Sequence, residues 1–231
     1  MQGFARVVLL GVLVALVAWS PVATAHGVEE GDAAFIEGNE GANIGVFLYL
    51  GAKHMVTGYD HLLFLVGVIF FLYRMKDVLL YVSMFTFGHS ITLIAGVLGG
   101  IHANAYLIDA IIGLSVVYKG FDNLGGFQRL LGFQPNPKAA VFLFGLFHGF
   151  GLATKLQEFH LSPDGLVANI LSFNIGVEVG QFLALGLILL FMAYWRTTRG
   201  FNRYAFLTNT ALMCGGFLLV GYQLTGYFVG G

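Results

Sequence analysis

Charge is what this sequence has least of. Only 10% of its 231 residues are Asp, Glu, Lys or Arg, against about 25% in an ordinary soluble domain. The two signs nearly cancel, at a net charge of −1, so no basic field exists to hold nucleic acid. One cysteine, Cys214, excludes an internal disulfide and any metal cage built from thiolates alone. Its apolar surroundings, Leu212 to Leu219, predict a small core residue. No phosphate-binding G-x-x-x-x-G-K-[ST] loop is present, so nothing in the chain itself would use ATP. Proline is scarce (4 residues) while glycine is abundant (33), the balance found in closely packed membrane helices.

What fills the sequence instead is apolar surface, 58% of all residues. A soluble core cannot absorb that much, so lipid is the expected solvent. The first 25 residues read as a signal peptide: Arg6, an apolar stretch from Val7 to Trp19, Pro21, then the A-x-A pattern Ala23-Thr24-Ala25. Cleavage there would make His26 the first mature residue. Residues 26–41 form an acidic, Gly-rich segment with Glu29, Glu30, Asp32, Glu37 and Glu40, expected outside the membrane. Residues 42–231 form a transmembrane helical domain of apolar runs at Ala42–Tyr73, Val78–Gly100, Ala105–Tyr118, Ala139–Thr154, Leu166–Trp195 and Tyr204–Val229. At about 20 residues per crossing, the simplest expectation is an all-α bundle of about six transmembrane helices. Gly120–Pro137 is left as the one long connection.

The basic residues support a single orientation. Arg74, Lys76, Lys119, Arg129, Lys138, Arg196, Arg199 and Arg203 all fall on alternate connections, whereas the other connections carry Glu158 and Asp164. By the positive-inside rule both mature termini should face outward, and a multi-pass protein of a bacterial inner (plasma) membrane is expected.

Against this apolar background the buried polar residues stand out. An ionisable group at bilayer depth costs at least about 2.5–3.5 kcal/mol on insertion scales, so such groups are usually functional. The first run carries His54, Asp60 and His61, the second His89-Ser90 with Thr92, the third Asp109, the fourth His148, and the fifth Asn174, Glu178 and Gln181. Asn174, Glu178 and Gln181 at i, i+4 and i+7 share a helix face that must turn inward. Counting 1.5 Å per residue puts His89 and Glu178 each about 18 Å from one end of its helix. His148 lies near mid-membrane, with Asp60 and His61 somewhat outward. Polar groups on helices entering from opposite sides therefore share a depth.

Imidazoles and carboxylates suit Ni, Co, Zn, Fe and Cu(II), and an acid beside a histidine can fix its tautomer. His54 and His61, at i and i+7, would be about 10.5 Å apart along a continuous helix, too far for one ion with bonds of about 2.0–2.1 Å. Either the helix breaks near Gly58 or the two histidines serve successive positions on a path. Each of these residues has a structural alternative, a hydrogen bond to a neighbouring helix, and for Ser90, Thr92 and Asn174 that alternative is the stronger. Asp109 could pair with a histidine or serve a helix end. His102 and His160 read as loop residues, His26 as a possible external capture ligand, and Gly145 with Gly149 as a close helix contact.

The run His54…Gly58-Tyr59-Asp60-His61-Leu62-Leu63-Phe64-Leu65 resembles the signature of the HupE/UreJ family of membrane proteins. The resemblance continues through Phe85–Leu93, Leu114–Tyr118 with Asp122-Asn123, Phe144–Gly151 and Phe173–Gln181, in family order, from Ala42 to about Trp195. It implies a secondary nickel or cobalt permease, often associated with hydrogenase or urease maturation. It carries the metal-path role onto His54, Asp60, His61, His89, His148 and Glu178, with His26, Ser90, Asp109, Asn174 and Gln181 as supporting candidates. Asp109 and Asp122 depart from the pattern, standing where the family often has Glu. The expected cargo is a divalent transition-metal ion, nickel or cobalt first, with Zn, Cu and Fe also compatible. Expected partners are the bilayer and either a second copy or a membrane-complex subunit. Two rivals remain: an intramembrane zinc hydrolase with Ser90 beside His89, and a non-transporting metal-binding assembly subunit.

Overall fold

The computed structural model describes residues 41–158 and 163–229, and all regular structure among them is helical. The helices are α1 (Ile44–Thr57), α2 (Tyr59–Ile69), α3 (Met75–Gly99), α4 (Ala105–Asn123), α5 (Gly126–Leu131), α6 (Pro137–Leu156), α7 (Leu166–Arg196) and α8 (Gly200–Val229). The expected signal peptide, the acidic segment with His26, and His160 lie outside the described residues.

Four helices, α3, α6, α7 and α8, are long and apolar enough to cross a membrane. α4 spans 19 residues but contains Asp109, Lys119 and Asp122. The first apolar run is not one helix: it breaks at Gly58 (φ −69°, ψ 105°) into two segments, each too short to cross alone. The third run extends further than its apolar stretch suggests. Lys119, expected in a connection, lies buried on the last turns of α4 with its ammonium 2.6 Å from Asp122. An ion pair at i and i+3 lets a helix continue where apolarity stops. The connection after it is partly helical as well, because α5 occupies its middle. Cys214 sits on the exposed face of α8 rather than in the core, because the face packed on α4 is the one that carries Leu212 and Gly216.

Three helix pairs make up the bundle, each sealed by glycine. In the α3–α6 pair, a Cβ at Gly145 would fall on the Phe85 carbonyl and one at Gly149 on the His89 carbonyl. In the α1–α7 pair, Gly51 lies against Phe173, and Gly176 against Leu48, in the same backbone-to-backbone fashion. The third pair, α4–α8, meets at Gly113 and Gly216. Without a hydrophobic force between helices in lipid, such close approach supplies the packing energy. The residue pairings show α1 running parallel to α7 and α3 parallel to α6, whereas α4 and α8 are antiparallel.

Smaller contacts tie the pairs together. Asn123 Nδ2 donates to the Gly67 carbonyl and to Asn209 Oδ1, both at 2.8 Å. Arg196 donates to the Ile69 and Phe70 carbonyls, satisfying peptide groups that the end of α2 leaves over. At the other end, Asn169 accepts from the Asn43 N–H at 2.7 Å and donates to the Gly41 carbonyl at 2.9 Å.

Candidate metal-handling site

The break at Gly58 brings His54 back onto His61. Instead of standing two turns apart, the rings are edge to face with centres 5.0 Å apart. A side chain at position 58 would not fit, since its Cβ would lie 2.8 Å from His61 Nδ1 and 3.1 Å from Asp60 Oδ1. Of the two arrangements open in the sequence, the interrupted helix is the one the chain adopts.

His61 is the centre of the group. Its ring lies 5.0 Å from that of His148 on α6 and 6.3 Å from that of His89 on α3. Two imidazoles sharing one ion through bonds of about 2.0–2.1 Å have ring centres roughly 5 Å apart, so the His61 spacings to His54 and His148 are of the right size. His61, His89 and His148 are fully buried, and Asp60 nearly so. The helix pairs impose this: the seam at Gly145 and Gly149 holds His89 and His148 in adjacent turns of α3 and α6, and α2 enters beside them.

Hydrogen bonds assign tautomers. His61 Nδ1 stands 3.0 Å from Asp60 Oδ1, and because a carboxylate can only accept, Nδ1 carries the proton and Nε2 the lone pair. His148 Nδ1 likewise donates to the Phe144 carbonyl at 2.7 Å, again placing the lone pair on Nε2. An acid or carbonyl fixing a histidine in this way is the usual support for a metal-binding imidazole. His89 differs. Neither of its ring nitrogens has a hydrogen-bond partner among the described residues, and leaving such a group unsatisfied costs about 1–3 kcal/mol.

The rings meet edge to face, at 67–78° to His61. Among the described residues no three His, Cys, Asp or Glu side chains are already posed around a common ion position. The cluster is therefore a gathering of imidazoles rather than a finished cage.

Two boundaries were not legible as such in the sequence. Phe64 on α2, Phe85 on α3 and Phe144 on α6 lie one turn from His61, His89 and His148, all toward the end that carries Arg74, Lys138 and Arg196. Phe64 and Phe85 are fully buried with ring centres 5.2 Å apart, and Phe64 and Phe144 are 6.0 Å apart. This aromatic floor looked like ordinary core; the signal was the recurrence of Phe at one-turn spacing from each histidine. On the opposite side, Asp109 pairs with Lys155 of α6 at 2.7 Å. Asp109 thus has a lysine partner on α6. Lys155 stands at i+7 from His148 and so shares its face.

The polar stripe on α7 is arranged otherwise. Asn174 and Ser90 exchange hydrogen bonds, the Asn174 amide donating at 2.8 Å, and Gln181 Nε2 donates to Thr86 Oγ1 at 2.7 Å. These bonds join α7 to α3, and Thr92 joins α3 to the Leu146 carbonyl of α6 at 2.7 Å. Glu178 lies between Asn174 and Gln181 on the same face, partly buried. His102 is exposed, with Nδ1 donating to the Gly100 carbonyl at 2.9 Å.

Long apolar helices, glycine-sealed packing and histidines buried at their centre define a helical membrane protein. The chain belongs to the HupE/UreJ family, whose model, described as "HupE / UreJ protein", matches residues 30–230. No protein of curated function and no solved structure gives a significant match.

Proposed function

We propose that this protein moves a divalent transition-metal ion, nickel or cobalt first, through the membrane as a secondary transporter, with His61 as the pivot of the path. The observation that carries the reading is the meeting of His54, His61, His89 and His148 from four helical segments around one buried centre. Membership of the HupE/UreJ family, associated with nickel and cobalt transport or with urease and hydrogenase maturation, points the same way.

In this reading the ion sheds water onto His54, then onto Asp60 and His61, and passes to His89 and His148. Asp60 keeps the His61 lone pair on Nε2 and offsets part of the cation's charge. Glu178, on the α3–α7 seam, serves a later position. The edge-to-face rings favour a path whose ligands rearrange over a rigid hydrolytic zinc centre, which needs fixed protein ligands and an open position for water. An inward membrane potential, which favours cation entry by about 2.3 kcal/mol per charge per 100 mV, or a coupled proton would supply the drive.

The test is uptake of radiolabelled nickel and cobalt into vesicles containing the wild type, Asp60→Ala or Glu178→Ala. The wild type should accumulate metal, with Asp60→Ala strongly impaired. Equal uptake by all three would end the transport reading.

A further inference from the structure

Lys155 brings a full positive charge to the rim of the imidazole cluster. Its Nζ is 2.7 Å from Asp109 Oδ2, with side-chain exposures of 12% and 3%. Lys155 stands two turns beyond His148 on the same face of α6, and Asp109 Oδ1 lies against Gly151 between them, 3.4 Å from where a Cβ there would be. The pair therefore adjoins the cluster on the side opposite the aromatic floor.

We infer that Lys155 is a tethered stand-in cation, held on Asp109 while the cluster is empty and driven off it when a divalent ion enters. This rests on the transport reading above. Two acids, Asp60 and Asp109, serve one buried region, where uncompensated charge is costly. The ammonium supplies compensation in the empty state. A divalent ion on His54 and His61 would place a second, larger positive charge beside it, and in a low dielectric the two repel strongly. Lys155 is the party able to leave. It stands in the last turn of α6 with part of its side chain exposed, and its flexible four-carbon stem and strongly hydrated head suit withdrawal to water. Asp109, released, then faces the incoming ion. Such a device answers only to a divalent ion that the imidazoles hold, and Mg²⁺, which prefers oxygen donors and keeps its water, gains too little there to displace the lysine.

The experiment is lysine footprinting of the purified full chain with an amine-acylating reagent, read by mass spectrometry, in Ni²⁺, in Mg²⁺ and with neither. Labelling of Lys155 should rise several-fold in Ni²⁺ alone, with Lys76 and Lys138 unchanged as references. In parallel, Lys155→Met should bind Ni²⁺ about tenfold more tightly than the wild type and release it more slowly, while Lys155→Arg stays near wild type. Unchanged Lys155 labelling under demonstrated Ni²⁺ binding, or Lys155→Met affinity equal to or weaker than the wild type, would overturn the inference and leave transport standing. A wild type that binds no Ni²⁺ would remove the transport reading itself. Should Lys155→Met not fold, labelling of the wild type decides.

Discussion

The imidazole cluster and the α7 stripe are both rows of polar side chains inside apolar helices, yet they are built on opposite rules. Along the stripe each amide finds a hydroxyl across the seam, Asn174 with Ser90 and Gln181 with Thr86. In the cluster, histidines face other histidines, and His89 has no hydrogen-bond partner among the described residues. Polar groups that complete one another hold helices together; His89, which completes no such bond among the described residues, suits the metal path proposed above. Glu178 is the residue on which the two descriptions compete, since it lies in the stripe and was read as a ligand.

Substitutions can force the contrast. The largest effect should follow loss of the pivot: His61→Ala and Asp60→Ala are expected to lower vesicle uptake of nickel about 10–100-fold, the scale on which ligands and their supporting acids act. Next comes Gly58→Ala, whose methyl would press on His61 Nδ1 and Asp60 Oδ1; uptake should fall about tenfold, with thermal stability in detergent changing far less. Glu178→Gln should cut uptake by a few-fold, and a loss as deep as that of Asp60→Ala would move the stripe into the principal path. Smallest is Asn174→Ala, which removes one interhelical pair worth about 0.6 kcal/mol. Its melting temperature should drop slightly and uptake stay within about twofold of wild type; a severe uptake defect would erase the distinction between glue and site.

Much of this was legible before any coordinates, and for identifiable reasons. Membrane residence follows from composition, and the i, i+7 spacing of His54 and His61 narrows the first run to two arrangements, a break near Gly58 or successive positions on a path. The helix-bridging role of Ser90 and Asn174, though not their pairing with each other, and the close contact at Gly145 and Gly149 follow from what small and polar residues do between helices. Other features depended on partners far away in the chain. Nothing local to Asp109 indicates Lys155, because their contact joins α4 to α6. Lys119 looked like a connection residue since apolar runs end at charges, whereas helices end only where hydrogen bonding does. The face on which Cys214 lies is set by the packing of α8 on α4, and an all-round apolar helix carries no periodic signal to reveal it.

The glycine seams have a mechanical corollary. Each two-helix unit is locked backbone to backbone, so the compliant joints are those between units, crossed by a few side-chain bonds. His54 belongs to one unit, His89 and His148 to a second, and Asp109 to a third, with α2 wedged among them. Like the blades of an iris, a slight tilt of any unit re-spaces the imidazoles together, so on the proposed metal path occupancy at the hub and posture of the bundle would be a single mechanical variable.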